Sequence, residues 1–126
     1  MTATIDNSSA AGQALTDDIT NVQISTPRGL QVITGLADSQ EERLHLLGDA
    51  SLTMNGVFND QANFSHAVFK DIPTTSVLRT CVFVHSAQTL TLEMALSDYN
   101  LTRAADGSLT WSVPGMLGNG TSYGWS

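Results

Sequence analysis

The chain has 126 residues, of which only 13% are charged, with twelve acids against five bases; soluble domains usually have about a quarter. A chain of this length forms one domain and buries roughly two thirds of its unfolded surface, so folding requires neither a disulfide nor a metal. The net charge of −7 and the scattered bases exclude nucleic-acid binding through clustered lysines and arginines. A surface so poor in charge opposes self-association only weakly, which favours a protein that works within an assembly.

The first sixteen residues are rich in Ser, Ala, Thr and Gly, and their apolar anchors are Ile5 and Leu15. This composition predicts an extended N-terminal arm over residues 1–16, outside the β core. The start of the chain has neither the basic nor the apolar run of a secretory signal, so we expect no such signal. A neighbouring subunit is the simplest candidate for ordering such an arm.

Two strands are predicted before a short helix, and a third strand is predicted after it. Apolar and polar residues alternate over 19–26, and the strand ends at the turn of Pro27. A second strand covers 30–33, and a third covers 50–58, where Gly56 indicates a bulge.

The helix is predicted from a capping signal between the second and third strands. Ser39 and Glu42 form a capping box, in which the serine accepts a hydrogen bond from the glutamate backbone N–H. Gly48 stands where a left-handed residue ends a helix. The pattern therefore predicts an α-helix over about 39–48 that packs its leucines on the sheet.

Residues 75–85 and 88–98 form the strongest predicted strand pair, joined by a turn at Ser86-Ala87. Pairing Arg79 with Met94 gives an apolar face that also contains Val77, Cys81, Phe83, Leu90, Leu92 and Leu96. The opposite face is half polar and contains Leu78, Thr80, Val82, Val84, Thr89, Thr91, Glu93 and Ala95. Such a face is typical of a sheet that meets solvent or another subunit.

A β-hairpin is predicted over residues 99–113, with Asp106 and Gly107 in its turn. A two-residue loop would mix polar and apolar side chains on both faces. A three-residue loop of residues 105–107 instead aligns the apolar side chains, with the pairs Ala104–Ser108, Arg103–Leu109, Leu101–Trp111 and Tyr99–Val113. This register requires a positive φ at Gly107.

Residues 116–126 form a Gly-rich tail that carries Tyr123 and Trp125, two large side chains that a lone domain has little reason to expose. The predicted organisation is therefore a single, mainly β domain over residues 1–126. Its parts are the arm (1–16), the β core (17–115) and the tail (116–126).

The sequence offers no pattern for catalysis or metal binding. The three histidines lie on separate predicted elements without a second ligand at useful spacing. Cys81 lies on the predicted core face, where a thiol behaves as a small hydrophobe. Glu93 and Asp98 lie on opposite faces of their strand, which argues against a pair of catalytic carboxylates. We expect no enzyme, no cofactor and no metal.

Three segments resemble the tail tube proteins, also called major tail proteins, of long-tailed bacteriophages, especially those of siphophage type. They are residues 22–36, residues 41–60 and the hairpin that ends in Asp-Gly-Ser-Leu-Thr-Trp-Ser-Val-Pro-Gly. The resemblance covers about residues 19–117.

This resemblance implies an antiparallel β-sandwich or half-barrel with one flanking helix, and hexameric rings that stack into a tail tube. Double-stranded DNA would pass through the tube without specific binding, and an acidic chain suits that lumen. The partners implied are further copies of the chain and the tape measure, tail terminator and baseplate proteins. The implied location is the virion tail, assembled in the host cytoplasm without contact with a membrane.

Within such an assembly, the faces and termini predicted from this sequence are candidates for specific roles. The candidate lumen or intersubunit face consists of Thr80, Val82, Thr89, Thr91 and Glu93. The candidate ring-to-ring contacts are Ile5, Leu15, Tyr123 and Trp125. Asp106 and Gly107 form a structural turn, and the family supplies no catalytic residues.

Two other functions fit the composition. A capsid decoration or head–tail adaptor protein would have the same β content and the same low charge. A carbohydrate-binding β-sandwich would need aromatic side chains or paired carboxylates clustered on one exposed face. Open tubes or six-fold rings in the electron microscope would distinguish a tube protein from both.

Overall fold

The computed structural model describes residues 1–37, 39–118 and 124–126. The described chain is mainly antiparallel β, with one short helix, as the sequence predicts. Its elements in order are β1 (Thr2–Asp6), β2 (Gly12–Ala14), β3 (Ile19–Ser25), β4 (Arg28–Val32), β5 (Arg43–Gly48), β6 (Ser51–Val57), α1 (Ser65–Phe69), β7 (Arg79–His85), β8 (Gln88–Leu96), β9 (Asn100–Arg103), β10 (Leu109–Leu117) and β11 (Gly124–Trp125).

Nine of these strands form one open sheet in the order β2-β1-β7-β8-β10-β6-β3, with β9 beside β10 and β11 beside β8. β10 pairs with β8 only over residues 115–117, and over residues 109–112 the same side of β10 pairs with β9. The sheet therefore divides between β8 and β10, and this is consistent with a β-sandwich or half-barrel. β4 and β5 form a separate two-stranded sheet.

The core lies on one face of the large sheet, because alternate residues of a strand point to the same side. Its buried apolar residues are Ala3, Ile5, Leu15, Ala50, Leu52, Met54, Val68, Phe69, Ile72, Cys81, Phe83, Leu90, Leu92, Met94, Trp111 and Val113. Trp111 packs against Phe69, with 5.0 Å between ring centroids. Its indole N–H donates a hydrogen bond to the Val57 carbonyl at 2.7 Å. The helix α1 thus covers the tryptophan and closes this part of the core.

Both predicted hairpin registers are confirmed. β7 and β8 pair Arg79 with Met94 and continue in register to His85 opposite Gln88. The turn residues Ser86 and Ala87 have φ values of 49° and 64°, which suit a two-residue hairpin turn.

The second hairpin, β9–β10, also has the predicted register. It pairs Leu101 with Trp111 and Arg103 with Leu109. The Ala104 N–H donates to the Ser108 carbonyl at 2.9 Å, and Gly107 has a φ of 92°. The three-residue loop is therefore the one that aligns the side chains of the two strands.

The bulge predicted at Gly56 lies instead on the facing strand β3, where Thr20 is the extra residue. The register of β3 against β6 shifts between Ile19 and Asn21, opposite Gly56. A Cβ atom at Gly56 would lie 2.1 Å from the Asp18 carbonyl oxygen and 2.4 Å from the Trp111 ring. The glycine therefore leaves the space into which the tryptophan packs.

The predicted helix over 39–48 is wrong, because this segment supplies β5, which pairs with β4. The Glu42 N–H donates to the Thr34 hydroxyl at 2.9 Å, instead of to Ser39 as the capping box requires. A helix of two turns is unstable without packing, whereas pairing with β4 provides hydrogen bonds along the segment. The described helix, α1, covers Ser65–Phe69 instead, where no helix is predicted.

The prediction of an extended arm over residues 1–16 is also wrong, because this segment belongs to the large sheet. β1 lies inside the large sheet, between β2 and β7. Ile5 and Leu15 are completely buried in the core of their own chain, so they are not available as ring-to-ring contacts. The low apolar content of the segment is misleading, because Ala3 and Ile5 alternate with threonines and suffice for the buried side of a strand.

Candidate assembly surfaces

The five residues of the candidate lumen or intersubunit face lie together, as the strand pairing requires. Thr80 is opposite Glu93, Val82 is opposite Thr91, and Thr89 follows on the same side of the sheet. The Thr80 hydroxyl donates a hydrogen bond to the Glu93 carboxylate at 2.8 Å. None of the five is fully buried. The structure thus assembles a half-polar patch on the side of the sheet away from the core.

This polar face continues across the large sheet. Pairing places the following residues on the same side: Thr2, Thr4 and Asp6 of β1, Ser112 and Met116 of β10, Ser51, Thr53 and Asn55 of β6, and Asn21, Gln23 and Ser25 of β3. Within the described strands of the sheet, the charged residues of this face are Asp6 and Glu93. The face is therefore mostly hydroxyl and amide side chains, interrupted by Val82, Val84, Ala95, Pro114 and Met116, and its described strands carry no positive charge on this side.

The β4–β5 hairpin is the most apolar exposed element among the described residues. Every residue of both strands is exposed. The hairpin and its connecting loop carry seven exposed large apolar side chains: Leu30, Val32, Ile33, Leu36, Leu44, Leu46 and Leu47. Leu36 is fully exposed, and Leu47 is 93% exposed. Sequence reasoning missed this surface because the capping box suggested a helix, although the alternation of Leu44 and Leu46 also fits a strand.

The predicted turn and tail residues are placed as follows. The Asp106 carboxylate accepts hydrogen bonds from the Ser108 backbone N–H at 3.0 Å and the Ser108 hydroxyl at 2.8 Å. These two bonds lower the pKa of Asp106 below its usual value, and the bond from the Ser108 backbone N–H has the larger effect. Trp125 lies on β11 and is 57% exposed. Tyr123 lies outside the described residues.

Two charged side chains are buried without forming a reaction centre. Arg79 is 1% exposed, and its guanidinium donates hydrogen bonds to the carbonyls of Val68 and Asp6. Burial lowers the Arg79 pKa, and the nearby Asp71 opposes that effect in part. Asp18 accepts hydrogen bonds from the Ser65 N–H at 3.0 Å and from Asn59 at 3.1 Å. These two residues fix α1 and its flanking loops to the sheet, and no local sequence pattern indicates the Asp18 contacts.

The cysteine and the cavity of the described chain complete this survey of chemical groups. Cys81 is completely buried, and burial raises its pKa to about 12, so the thiol stays protonated. Over the described residues, no cluster of His, Cys, Asp or Glu could hold a metal ion. A cavity of about 210 Å³ between β1 and β3 is lined by Met1, Ala3, Thr16 and residues 19–22. No side chain of that lining ionises.

The described parts of the chain contain no helix that is long and apolar enough to cross a membrane. No protein-family model matches the chain. No curated protein matches it either.

The fold resembles chains of three solved tail-like particles. A chain in the virion of a native gene transfer agent particle aligns with a TM-score of 0.78 and 12% identity, over 98% of this chain and 95% of that chain. A chain in the tail of an empty gene transfer agent particle, with C6 symmetry, aligns with a TM-score of 0.73 and 14% identity, over 100% and 95% of the two chains. A chain in the six-fold-symmetrised baseplate of the anti-feeding prophage aligns with a TM-score of 0.61 and 8% identity, over 99% and 91%. At these identities the likeness is one of fold, and it spans nearly the whole of each chain.

Proposed function

We propose that this chain is a non-enzymatic structural protein of a phage-like tail. In this proposal, it forms hexameric rings that stack into the tail tube, and the tube is the conduit for DNA delivery. The fold likeness to chains of six-fold tail and baseplate assemblies supports the proposal. The observation that carries it is the exposed, apolar β4–β5 hairpin.

The hairpin requires a partner for a physical reason. A two-stranded hairpin alone in water is at best marginally stable, and this one forms a sheet separate from the large sheet. Contiguous exposed apolar surface in a soluble protein marks an interaction site. A neighbouring copy in a ring or stack would cover these side chains and stabilise the hairpin.

The polar face of the large sheet suits the lumen of such a tube. A conduit for DNA must bind phosphate weakly, because clustered lysines or arginines would hold the moving polymer. The face assembled around Thr80, Thr91 and Glu93 has no base in the described strands and two acids, Asp6 and Glu93. We assign this face to the lumen or to the boundary with the next subunit.

Ring closure would also protect the strand edges of the subunit. β2 and β3 lie at the two ends of the strand order, and an open edge invites pairing with another chain. Joining the sheets of six subunits would cover these edges. Of the predicted ring contacts, Trp125 retains its proposed role, because it is the one described as exposed.

In this role the chain works in the virion tail, after assembly in the cytoplasm of the bacterial host. Its partners are further copies of itself and the tape measure, tail terminator and baseplate proteins of the same tail. The DNA passes through without specific contacts.

The test replaces exposed leucines of the hairpin by a charged residue. We expect Leu36→Glu combined with Leu47→Glu to fold normally, since both side chains are exposed, and to form neither rings nor tubes. Negative-stain electron microscopy and sedimentation velocity would measure assembly, and circular dichroism would confirm folding. Leu101→Glu is the control, because Leu101 is a half-exposed leucine of β9, outside the β4–β5 hairpin, and this variant should assemble as the wild type does. Tubes of normal length from the double variant would contradict the role of the hairpin.

A further inference from the structure

The cavity between β1 and β3, called here the β1–β3 cavity, opens to solvent beside the start of β3. Ala3 is its most buried lining residue, at 3% exposure, and Ile19 and Val22 lie half-buried beside it, packed against the core. Thr16 and Thr20 are exposed at its rim. The cavity therefore has apolar walls below a polar rim, as small interaction sites do.

The size of the β1–β3 cavity matches one large apolar side chain. Its volume is about 210 Å³, and an apolar cavity of about 150 Å³ already accommodates a benzene molecule. Apolar walls without partner atoms forgo dispersion contacts, so a side chain seated there would gain packing against several neighbours. A single leucine from another molecule would fit this space.

The β4–β5 hairpin carries such a side chain at its end. Leu36 lies in the loop that joins the two strands and is fully exposed, so its own chain gives it no packing. The loop is braced at its base, because the Ile33 N–H donates to the Glu42 carbonyl at 2.9 Å and the Glu42 N–H donates to the Thr34 hydroxyl at 2.9 Å. Leu36 is therefore presented on a supported projection.

The β1–β3 cavity and the hairpin lie at opposite ends of the same strand. The cavity adjoins Ile19, where β3 begins, and β4 begins at Arg28, shortly after β3 ends at Ser25. At about 3.3 Å per residue, β3 separates the cavity from the base of the hairpin by about 20 Å. Two different surfaces of one chain that fit each other give a head-to-tail contact, which builds rings or open stacks.

We propose that the β1–β3 cavity is the docking site for Leu36 of a second copy of this chain. This inference rests on the proposed assembly and names the surface that receives the end of the hairpin. The leucine would leave water, the apolar walls would gain a packing partner, and no charge would be buried, because no side chain of the lining ionises. Each copy would donate one leucine and receive another.

Filling the cavity from within its own chain tests this docking. In Val22→Phe the larger side chain extends into the cavity, so we expect a folded protein whose critical concentration for assembly rises about tenfold or more, the effect of losing one buried leucine. Ile24→Phe is the matched control, a half-buried residue on the same side of β3 outside the cavity lining, and it should assemble as the wild type does. Sedimentation velocity would measure assembly, and circular dichroism would measure folding.

A cross-link between two different chains identifies the occupant of the cavity. One chain carries Ala37→Cys, next to Leu36, and the other carries Thr20→Cys at the rim; a short bismaleimide is added to their mixed assemblies. The native Cys81 is completely buried and should not react. We expect a heterodimer from this mixture, and none when the second chain carries Thr102→Cys instead, an exposed threonine of β9.

The outcomes separate this inference from the proposed function. Wild-type tubes together with normal assembly of folded Val22→Phe would overturn the docking of Leu36 and leave the proposed function intact. A mixture that yields no heterodimer, or equal yields with Thr20→Cys and Thr102→Cys, would do the same, and the cross-link decides alone if Val22→Phe does not fold. Absence of assembly by the wild type would overturn both.

Discussion

At the scale of single residues, two glycines show which constraints are visible in the sequence. The need for a glycine at position 107 follows from local turn chemistry, because Asp-Gly and the alternation on either side require a positive φ there. The need at Gly56 arises from the Asp18 carbonyl oxygen and the Trp111 ring, which are both distant along the chain and leave no space for a Cβ atom. The first constraint can be predicted from neighbouring residues, and the second depends on the tertiary fold.

These two glycines should respond differently to the same change. Gly107→Ala adds a Cβ atom with nothing within 4 Å, so its cost is backbone strain of about 1 kcal/mol. Gly56→Ala places that atom 2.1 Å from a backbone oxygen, and overpacking of this kind costs about 3 kcal/mol or more. Urea denaturation of both variants would measure the difference. Equal losses of unfolding free energy would contradict the assigned packing of Trp111.

At the scale of elements, the sequence predicts pairs that a tight turn joins and misses pairs that are distant along the chain. β7–β8 and β9–β10 have their turns and their alternation within about twenty residues. β1 owes its place to β7, which lies more than seventy residues away: Ile5 is opposite Cys81. The helix prediction for residues 39–48 fails for a related reason. The capping box is a local signal, whereas the strand is stabilised by pairing with β4, which is more distant along the chain.

The place of β1 in the sheet predicts the effect of a deletion. Removal of residues 1–14 takes away the buried Ala3 and Ile5 and opens the edge of β7. We expect loss of cooperative thermal unfolding and of the near-UV circular dichroism signal. Removal of residues 124–126 is the control, because it deletes only β11: it should keep cooperative unfolding, and its near-UV signal should lose only the contribution of the half-exposed Trp125. A shortened chain that lacks residues 1–14 and melts like the wild type would show that β1 is dispensable.

At the scale of the whole molecule, low charge, uncovered strand edges and an apolar hairpin all point to assembly. The sequence indicates the first of these, since composition alone gives the few charges and the excess of acids. The division of the sheet between β8 and β10 could not be predicted. It depends on β9, which pairs with β10, and on β11, which pairs with β8, where β8 and β10 do not pair with each other. The composition of the polar face depends on the registers of adjacent strands. The register of β7 with β8 is predictable from the sequence, whereas those of β1 with β7 and of β3 with β6 are not.

Electron microscopy of the purified wild-type chain at high concentration would show whether it assembles into a tube. We predict hollow tubes of stacked rings, with six-fold symmetry in end-on class averages and an open lumen along the axis. A protein that stays monomeric at every concentration tested, or that forms closed particles without a continuous channel, would contradict the assignment as a tail tube subunit.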